Sequence, residues 1–152
     1  MNREIKFRGK RIDNGEWVCG GYAENDGKAF VVVRTRYIPD TRDWDTVEYY
    51  ENNPCYHLTM IDVDPDTVGQ YIGVDDKNGK EIYEDDIVRT NSSRLCKVVW
   101  FSSPQYQGWD LEPIEAKNPH PKERELWKDL EVIGNVHENA DLLKEVEENE
   151  VD

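Results

Sequence analysis

The sequence has no long apolar segment and no excess of positive charge. No window approaches the ~18 consecutive apolar residues that a membrane-spanning helix needs, and the first residues lack the apolar core of a secretory signal. We therefore expect a cytoplasmic protein of the host cell that does not enter a membrane. The formal net charge of −14 disfavours binding to nucleic acid and to anionic membrane surfaces, because both attract clustered lysine and arginine.

Cysteine and histidine are also scarce, and neither occurs in a recognisable metal or catalytic pattern. Cys19, Cys55 and Cys96 are widely spaced, which favours buried thiols in a reducing compartment over a disulfide framework. Cys55 and His57 supply only two zinc ligands where a structural site usually takes four. We therefore expect no metal and no other cofactor.

No catalytic motif surrounds the three histidines, His57, His120 and His137. His137 falls on a predicted strand beside Glu138, where a surface or hydrogen-bonded histidine is the simpler interpretation. Adjacent carboxylates are expected by chance in a chain with 33 acidic residues, and most of them are solvated. We therefore expect a protein that is not an enzyme.

The chain does contain five tryptophans and eight tyrosines, which a disordered sequence lacks, and its 152 residues fit a single folded domain, 1–152. Period-two alternation and turn signals dominate the pattern. They predict an N-terminal β meander over 1–37, an exposed loop over 38–54, further strands over 55–137 and a C-terminal helix over 139–149. A second short helix is predicted for 122–130, and Gly20-Gly21 predicts a bulge or a close backbone approach.

The stretch GVDDKNGKEIYEDDIV, from Gly73 to Val88, has the composition of either a calcium loop or a turn. With Gly79 at the sixth position of an EF-hand loop, Val74 occupies the first position, which requires an oxygen ligand. Asn-Gly is instead a strong signal for a type I′ hairpin turn, because both central residues there need positive φ. We therefore interpret Asn78-Gly79 as a hairpin turn.

Three segments, in this order along the chain, carry a resemblance to a known family. They are Arg3 to Arg8, Asp76 to Glu84 with Asp86-Ile87-Val88, and Glu131 to Asn139 with Leu142-Leu143. The chain resembles the YopX family of bacteriophage and prophage proteins. The resemblance implies an origin in a mobile element and a mainly β fold: an SH3-like barrel with additional antiparallel strands and a C-terminal α-helix. It implies no activity, because the role of the family is not established.

The positions that match the family pattern are interpreted as structural: Asp76, Asn78, Gly79, Tyr83, Asp86, Gly134, Asn135, Glu138 and Asn139. Several residues depart from that pattern. Asp85 stands where the family usually has glycine, Ile72 and Val74 flank Gly73 where threonine and leucine are usual, and Gly9-Lys10 replace the usual Ala-Trp. The Asp85 departure bears most on the structure, because a different residue at that turn can require a different backbone conformation.

A basic cluster in the first third of the chain is the candidate interaction face. Arg3, Lys6, Arg8, Arg34 and Arg36 form this face if the meander brings them together. Tyr22, Phe30 and Tyr37 would then supply stacking surfaces for single-stranded bases. The simpler interpretation, which we favour, is that these charges solvate the outer face of an antiparallel sheet.

The C-terminal segment has the opposite charge, with seven acidic residues and one lysine from Glu138 to Asp152. Most such segments are solvated helix faces, although an acidic helix can also dock on a basic partner. A basic start and an acidic end permit homo-oligomers. The leading hypothesis is a non-enzymatic phage or prophage accessory protein that binds a host or phage protein. The alternative is a nucleic-acid-binding small barrel that uses the basic meander.

Overall fold

A computed structural model describes residues 2–37, 39, 44–114 and 126–143, and of residues 44–47 it describes only the backbone. The chain divides into two compact units. The N-terminal unit is Lys6–Val68, and the C-terminal unit is Gly69–Asp152 together with Met1–Ile5. Strands dominate both units, which confirms the mainly β prediction.

The N-terminal unit contains four antiparallel strands in the order β4-β3-β2-β1. Their bounds are β1 Phe7–Lys10, β2 Trp17–Asn25, β3 Lys28–Tyr37 and β4 Cys55–Val63. A 3₁₀ turn over Pro65–Thr67 follows β4. The turn between β2 and β3 has positive φ at both central residues, Asp26 and Gly27, as a type I′ turn requires. The predicted meander over 1–37 is therefore confirmed from Phe7 onward.

One face of this sheet is buried where the start of β3 pairs with the end of β4, and the rest of β3 and β4 is largely exposed on both faces. Ala29, Val31 and Val63 form the core, and Val18, Val33 and Val68 pack against them. The alternation of these residues along the strands is the period-two pattern seen in the sequence. A side chain at Gly20 would collide with the backbone carbonyl of Val32, so the predicted close backbone approach is confirmed.

The prediction of an exposed loop over 38–54 is wrong for residues 44–52, because α1 spans Trp44–Asn52. The last turn of this helix is held by donors that satisfy its terminal carbonyls. Asn53 donates through its backbone and side chain to the Tyr49 carbonyl, and the Arg36 guanidinium donates to the Glu51 carbonyl at 2.9 Å. Arg36 comes from the neighbouring strand, so the sequence pattern of 38–54 gives no sign of this contact.

The C-terminal unit contains a hairpin and a four-stranded antiparallel sheet. The hairpin joins β5 Gly69–Asp75 to β6 Glu81–Tyr83. The sheet has the order β10-β7-β8-β9, with β7 Asp86–Arg89, β8 Leu95–Ser102, β9 Gln107–Pro113 and β10 Glu131–Asn135. Its core contains Ile72, Ile82, Val88, Cys96, Val98, Leu130 and Val132.

The predicted SH3-like barrel is not confirmed, because neither sheet is closed in the part of the chain that the structure describes. The C-terminal sheet ends at β10 on one side and β9 on the other. Among the described residues of the N-terminal unit, the chain just after β1 meets β4 at a single isolated bridge, between Arg11 and Val63. A barrel needs a hydrogen-bonded ladder between its first and last strands, and one bridge does not supply it.

Two helix predictions have different outcomes. Residues 122–130 contain a single 3₁₀ turn, Trp127–Asp129, rather than the expected helix, and residues 122–125 lie outside the described chain. Leu126 is exposed and Leu130 is buried, so the predicted apolar stripe does not lie on one face. The C-terminal helix is present at residues 140–143, and its remaining predicted length to 149 lies outside the described residues.

The cysteines are free thiols, as expected, but they are not uniformly buried. Cys96 lies in the core of the C-terminal unit, Cys55 is partly buried, and Cys19 is exposed. Cys19 faces outward because it alternates with Val18, which packs against the core.

Candidate interaction surface

The Asp76 side chain organises the turn between β5 and β6. One carboxylate oxygen accepts from the backbone N–H groups of Asn78 and Lys80 at 2.8 and 2.9 Å. The other accepts from the backbone N–H of Val132 at 2.9 Å. Gly79 has φ +78°, whereas Asn78 does not have positive φ. The hairpin is therefore confirmed, but its type I′ geometry is wrong: it is a turn over residues 76–79 that ends in a left-handed glycine.

Asp76 is buried and ionised at neutral pH. Burial by itself raises its pKa, but the hydrogen bonds from Val132, Lys80 and Asn78, with the charge of Lys80, lower the pKa below its ordinary value. Both of its oxygens point at N–H donors, which is the surrounding of an anion and not of a calcium ligand. These contacts support the architectural interpretation of this stretch.

Tyr83 and Asp86 stabilise the end of the same hairpin. The buried Asp86 carboxylate accepts from the backbone N–H of Tyr83 at 2.8 Å, and the Tyr83 hydroxyl donates to Glu81 at 2.6 Å. Across the hairpin, the Tyr71 hydroxyl donates to Asp75 at 2.9 Å. Burial, followed by this hydrogen bond and nearby carboxylates, raises the pKa of Tyr71 to about 12. Tyr71 is therefore a neutral hydrogen-bond donor at neutral pH.

Asp85 has φ +66°, a conformation that glycine adopts without strain. Its backbone N–H donates to the Val98 carbonyl, and its own carbonyl accepts from the Val136 N–H. Its carboxylate lies 3.8 Å from the Lys97 ammonium and 3.4 Å from Nε2 of His137. The substitution of aspartate for the glycine that the family usually has thus occurs at a left-handed position, which aspartate tolerates better than most residues.

This geometry predicts different stabilities for two substitutions at Asp85. Both Asp85→Gly and Asp85→Ala remove the carboxylate, but only alanine keeps the steric cost of positive φ. We expect the alanine variant to be less stable than the glycine variant by about 1 kcal/mol in urea unfolding. Equal stability of the two variants would contradict the left-handed assignment.

The third family segment, Glu131 to Asn139, forms an interlocked turn after β10. The Asn135 side chain accepts from the backbone N–H groups of His137 and Glu138, both at 3.0 Å. The Asn139 side chain accepts from the Asn135 N–H at 3.2 Å, while the Asn139 N–H donates to the Asn135 carbonyl. A Cβ atom at Gly134 would lie 2.7 Å from Cγ of Asn139, so this position requires glycine. His137 lies in this turn, which corrects its predicted place on a strand.

One group of titratable side chains in the C-terminal unit resembles an acid–base cluster. It contains Glu84, Asp85, Lys97 and His137. Burial first, and then the charge of Asp85, raise the pKa of Glu84. Asp85 bridges Lys97 and His137 as described above. Contacts among neighbouring side chains account for this cluster, which offers no nucleophilic hydroxyl or thiol at a described distance.

The described residues contain neither a metal-binding group nor a membrane-spanning helix. Among residues 2–37, 39, 44–114 and 126–143, no group of three or more His, Cys, Asp and Glu is arranged to hold a metal ion. Within the same ranges, no helix has the length and apolar character to span a membrane.

The five residues of the predicted basic face are divided between the two units. Arg3 belongs to the C-terminal unit, and Lys6, Arg8, Arg34 and Arg36 belong to the N-terminal unit. Arg8 is partly buried and its guanidinium lies 5.0 Å from the ring of Trp17. Arg34 and Arg36 are exposed near the end of β3.

Arg34 and Arg36 share a sheet face with apolar residues of β4. The register places Leu58 opposite Arg34, Tyr56 opposite Arg36 and Met60 opposite Val32. Directly opposed residues project from the same face of an antiparallel pair. The Arg34 guanidinium carbon lies 3.6 Å from the ring centroid of Tyr56, a cation–π contact. We call Arg34, Arg36, Tyr56, Leu58 and Met60 the β3–β4 outer surface.

The apolar members of this surface are strongly exposed. Leu58 is 75% exposed, Met60 is 55% exposed and Tyr56 is 46% exposed. Single exposed apolar residues are ordinary, but three on one face of one strand, beside two arginines, have the composition of a protein interface. Sequence analysis missed these residues because alternation in CYHLTMIDV shows two faces without showing which face is buried.

The stacking residues proposed for nucleic-acid binding do not all lie on this face. Tyr22 pairs with Val31 of the core face and packs against Phe7 at 5.1 Å between ring centroids. Tyr37 lies beside His57, 4.4 Å between ring centroids, on the same side as Tyr22 by strand alternation. Phe30 alone shares the face of Arg34, so the expected combination of arginines with three aromatic rings does not form.

The chain is similar to a known protein family and to a solved structure. The pattern of the family described as YopX protein matches residues 6–144. The crystal structure of protein EF1440 from Enterococcus faecalis is similar, with a TM-score of 0.51 and 19% sequence identity over 93% of this chain and 99% of that chain. A likeness at that identity shows the fold alone. The comparison with curated proteins finds no match.

Proposed function

The chain belongs to the YopX protein family, and from this premise we propose that it is a non-enzymatic phage or prophage accessory protein that acts by binding a protein partner. The observation that carries the proposal is the β3–β4 outer surface. It places three exposed apolar side chains beside two arginines. Arginine, tyrosine and methionine are enriched in protein interfaces, and contact with a partner would remove the apolar surface from water. The proposal places the protein in the cytoplasm of the host cell.

Nucleic-acid binding is the second candidate, and Arg34 with Arg36 is the observation that favours it. Two arginines two residues apart on one strand can contact successive phosphates. The net charge of −14 opposes this candidate, since the field of the whole chain repels a polyanion. The leucine and methionine beside the arginines have no role in phosphate contact, which supports a protein partner instead.

The proposal is tested with a tagged chain in bacterial lysate. Leu58→Lys and Arg34→Glu should each lower the amount of retained partner at least about tenfold, because central interface residues dominate binding energy. Thr59→Lys and Thr35→Glu are matched controls on the same strands with side chains on the opposite face, and they should retain it. The retained protein should survive nuclease treatment.

Two results would overturn the proposal. If all four variants retain the same proteins as the original chain, the β3–β4 outer surface is not the binding surface. If nuclease removes the retained material and Arg34→Glu lowers the affinity for oligonucleotides, the nucleic-acid candidate replaces the protein partner.

A further inference from the structure

We propose that β4 binds its partner by strand addition: an extended, glutamate-containing segment of the partner pairs with the outer edge of β4. This inference rests on the proposed function, because it specifies how the β3–β4 outer surface contacts a protein. It adds the backbone of β4 to the side chains already described, and it specifies the chemistry of the partner segment.

Among the described strands, β4 lies at the edge of its sheet. At its C-terminal end, Ile12 donates to the Asp62 carbonyl and the Asp64 N–H donates to the Lys10 carbonyl. The backbone groups of Asp62 and Asp64 therefore point away from β3.

The backbone groups of β4 point in the same direction at every second residue. Backbone N–H and C=O groups of a β-strand alternate in direction from residue to residue. Tyr56, Leu58 and Met60 therefore point their backbone groups away from β3, in the same direction as Asp62. These residues also carry the exposed side chains of the β3–β4 outer surface. A segment that paired here would form backbone hydrogen bonds and cover the apolar side chains at the same time.

The residue types of β4 determine whether its edge is protected against pairing with other chains. Long exposed edge strands are normally protected by proline, lysine or a bulge, because a regular edge pairs with other chains. β4 is nine residues long, contains no proline, glycine or lysine, and pairs with β3 in unbroken register from Cys55 to Val63. Its only acidic residue, Asp62, lies at the end where Ile12 already donates to it. Among the described residues, the segment of β4 from Cys55 to Ile61 therefore contains none of these protective features.

The arginines beside β4 indicate which charged side chains the partner segment should carry. Arg34 and Arg36 lie one strand inward from the edge, so an added strand would be two strand spacings, about 10 Å, from them. Arginine and glutamate side chains together can span that distance, whereas the shorter aspartate is less suited. The two arginines are two residues apart on β3, which matches side chains at alternate positions of an added strand. The partner segment should therefore carry glutamates on the face that also contacts Leu58.

The same charges argue against a second copy of this chain as the occupant. Pairing of two β4 edges in an antiparallel manner would place the arginine pairs of both copies on one continuous face. Charge complementarity therefore favours an acidic segment of another protein.

The test uses a synthetic nine-residue peptide, the length of β4, in which glutamate and valine alternate on one face and threonine occupies the other. Binding to the full chain is measured by fluorescence anisotropy. Leu58→Lys and Arg34→Glu should each weaken binding at least about tenfold, and Thr59→Lys and Thr35→Glu should leave it unchanged. A peptide with lysine in place of glutamate should bind at least about tenfold more weakly than the original.

N-methylation separates strand addition from side-chain contact alone. One peptide is methylated at the backbone nitrogens of the glutamate and valine positions, and the other at those of the threonines. In an added strand only one of these sets faces β4, so one peptide should lose binding and the other should bind as the unmodified peptide does. Equal binding of both methylated peptides would overturn the inference.

The outcomes also separate this inference from the proposed function. If Leu58→Lys abolishes partner retention from lysate while both methylated peptides bind alike, the surface binds protein without strand addition. In that case the inference fails and the proposed function stands. If light scattering shows a dimer that Leu58→Lys dissociates, the occupant is a second copy, and the choice of an acidic partner is overturned.

Discussion

Asp76→Ala should lower the free energy of unfolding by about 3–4 kcal/mol, the largest single effect on stability that we expect. The carboxylate accepts three backbone N–H groups, and one of them belongs to Val132 on β10, 56 positions along the chain. Removal of the carboxylate leaves the buried Val132 N–H without its acceptor, which costs about 1–3 kcal/mol. It also breaks the two part-buried hydrogen bonds from Asn78 and Lys80, and a hydrogen bond to a charged group contributes about 1.5 kcal/mol. Urea unfolding of the full chain measures the effect.

Asp110→Ala is the matched control. Asp110 is an exposed carboxylate in the same unit, and its side chain accepts only from the neighbouring Leu111 N–H among the described contacts. Its removal should change the free energy of unfolding by less than about 0.5 kcal/mol. Equal losses in the two variants would show that Asp76 has no special role.

The stability supplied by Asp76 should also depend on pH. Its pKa is lowered in the folded state, so the folded chain favours the ionised carboxylate more than the unfolded chain does. This contribution is present above the unfolded pKa of about 4 and is lost as the pH falls through the folded pKa. The difference in stability between the original chain and Asp76→Asn should therefore shrink below about pH 4. A constant difference would contradict this assignment.

Gly134→Ala should destabilise the chain by about 2–3 kcal/mol, the second largest effect, although the added group is a single methyl. That methyl would lie 2.7 Å from Cγ and 3.2 Å from Cβ of Asn139. Asn139 must then move, which breaks its hydrogen bond with the Asn135 N–H and releases the turn after β10.

A double-mutant cycle identifies the source of this effect. Asn139→Ala removes the atoms closest to the added methyl, so Gly134→Ala should cost much less in that background than in the original chain. The expected coupling is about 1 kcal/mol or more. Additive effects would show that the cost at Gly134 does not come from Asn139.

The strands of this fold are predictable from local signals. Alternation and turn residues correctly predict the N-terminal meander that contains β1, β2 and β3, and Asn78-Gly79 correctly marks a hairpin. The type of that turn is not predictable from Asn-Gly alone, because it depends on the Asp76 side chain and on Val132, far away in the sequence. Local propensity gives the existence of the turn, and a tertiary hydrogen bond decides its geometry.

The parts that sequence analysis missed share a dependence on long-range contacts. The C-terminal end of α1 is held by Arg36 of β3, and the exposed face of β4 is defined by pairing with β3. Barrel closure likewise depends on which edge strands meet, and alternation within one strand carries no information about that. The basic residues were identified as a group, but only the register shows that Arg34 and Arg36 lie beside Leu58 and Tyr56.

Hydrogen–deuterium exchange of the chain, alone and with its captured partner, tests the central claim most directly. The account predicts that the partner slows exchange in the segment from Cys55 to Ile61, since the β3–β4 outer surface and the edge of β4 lie there. Exchange in the β8–β9 hairpin, which also has exposed aromatic residues, should not change. Unchanged exchange from Cys55 to Ile61, together with protection in β8 and β9, would contradict the account.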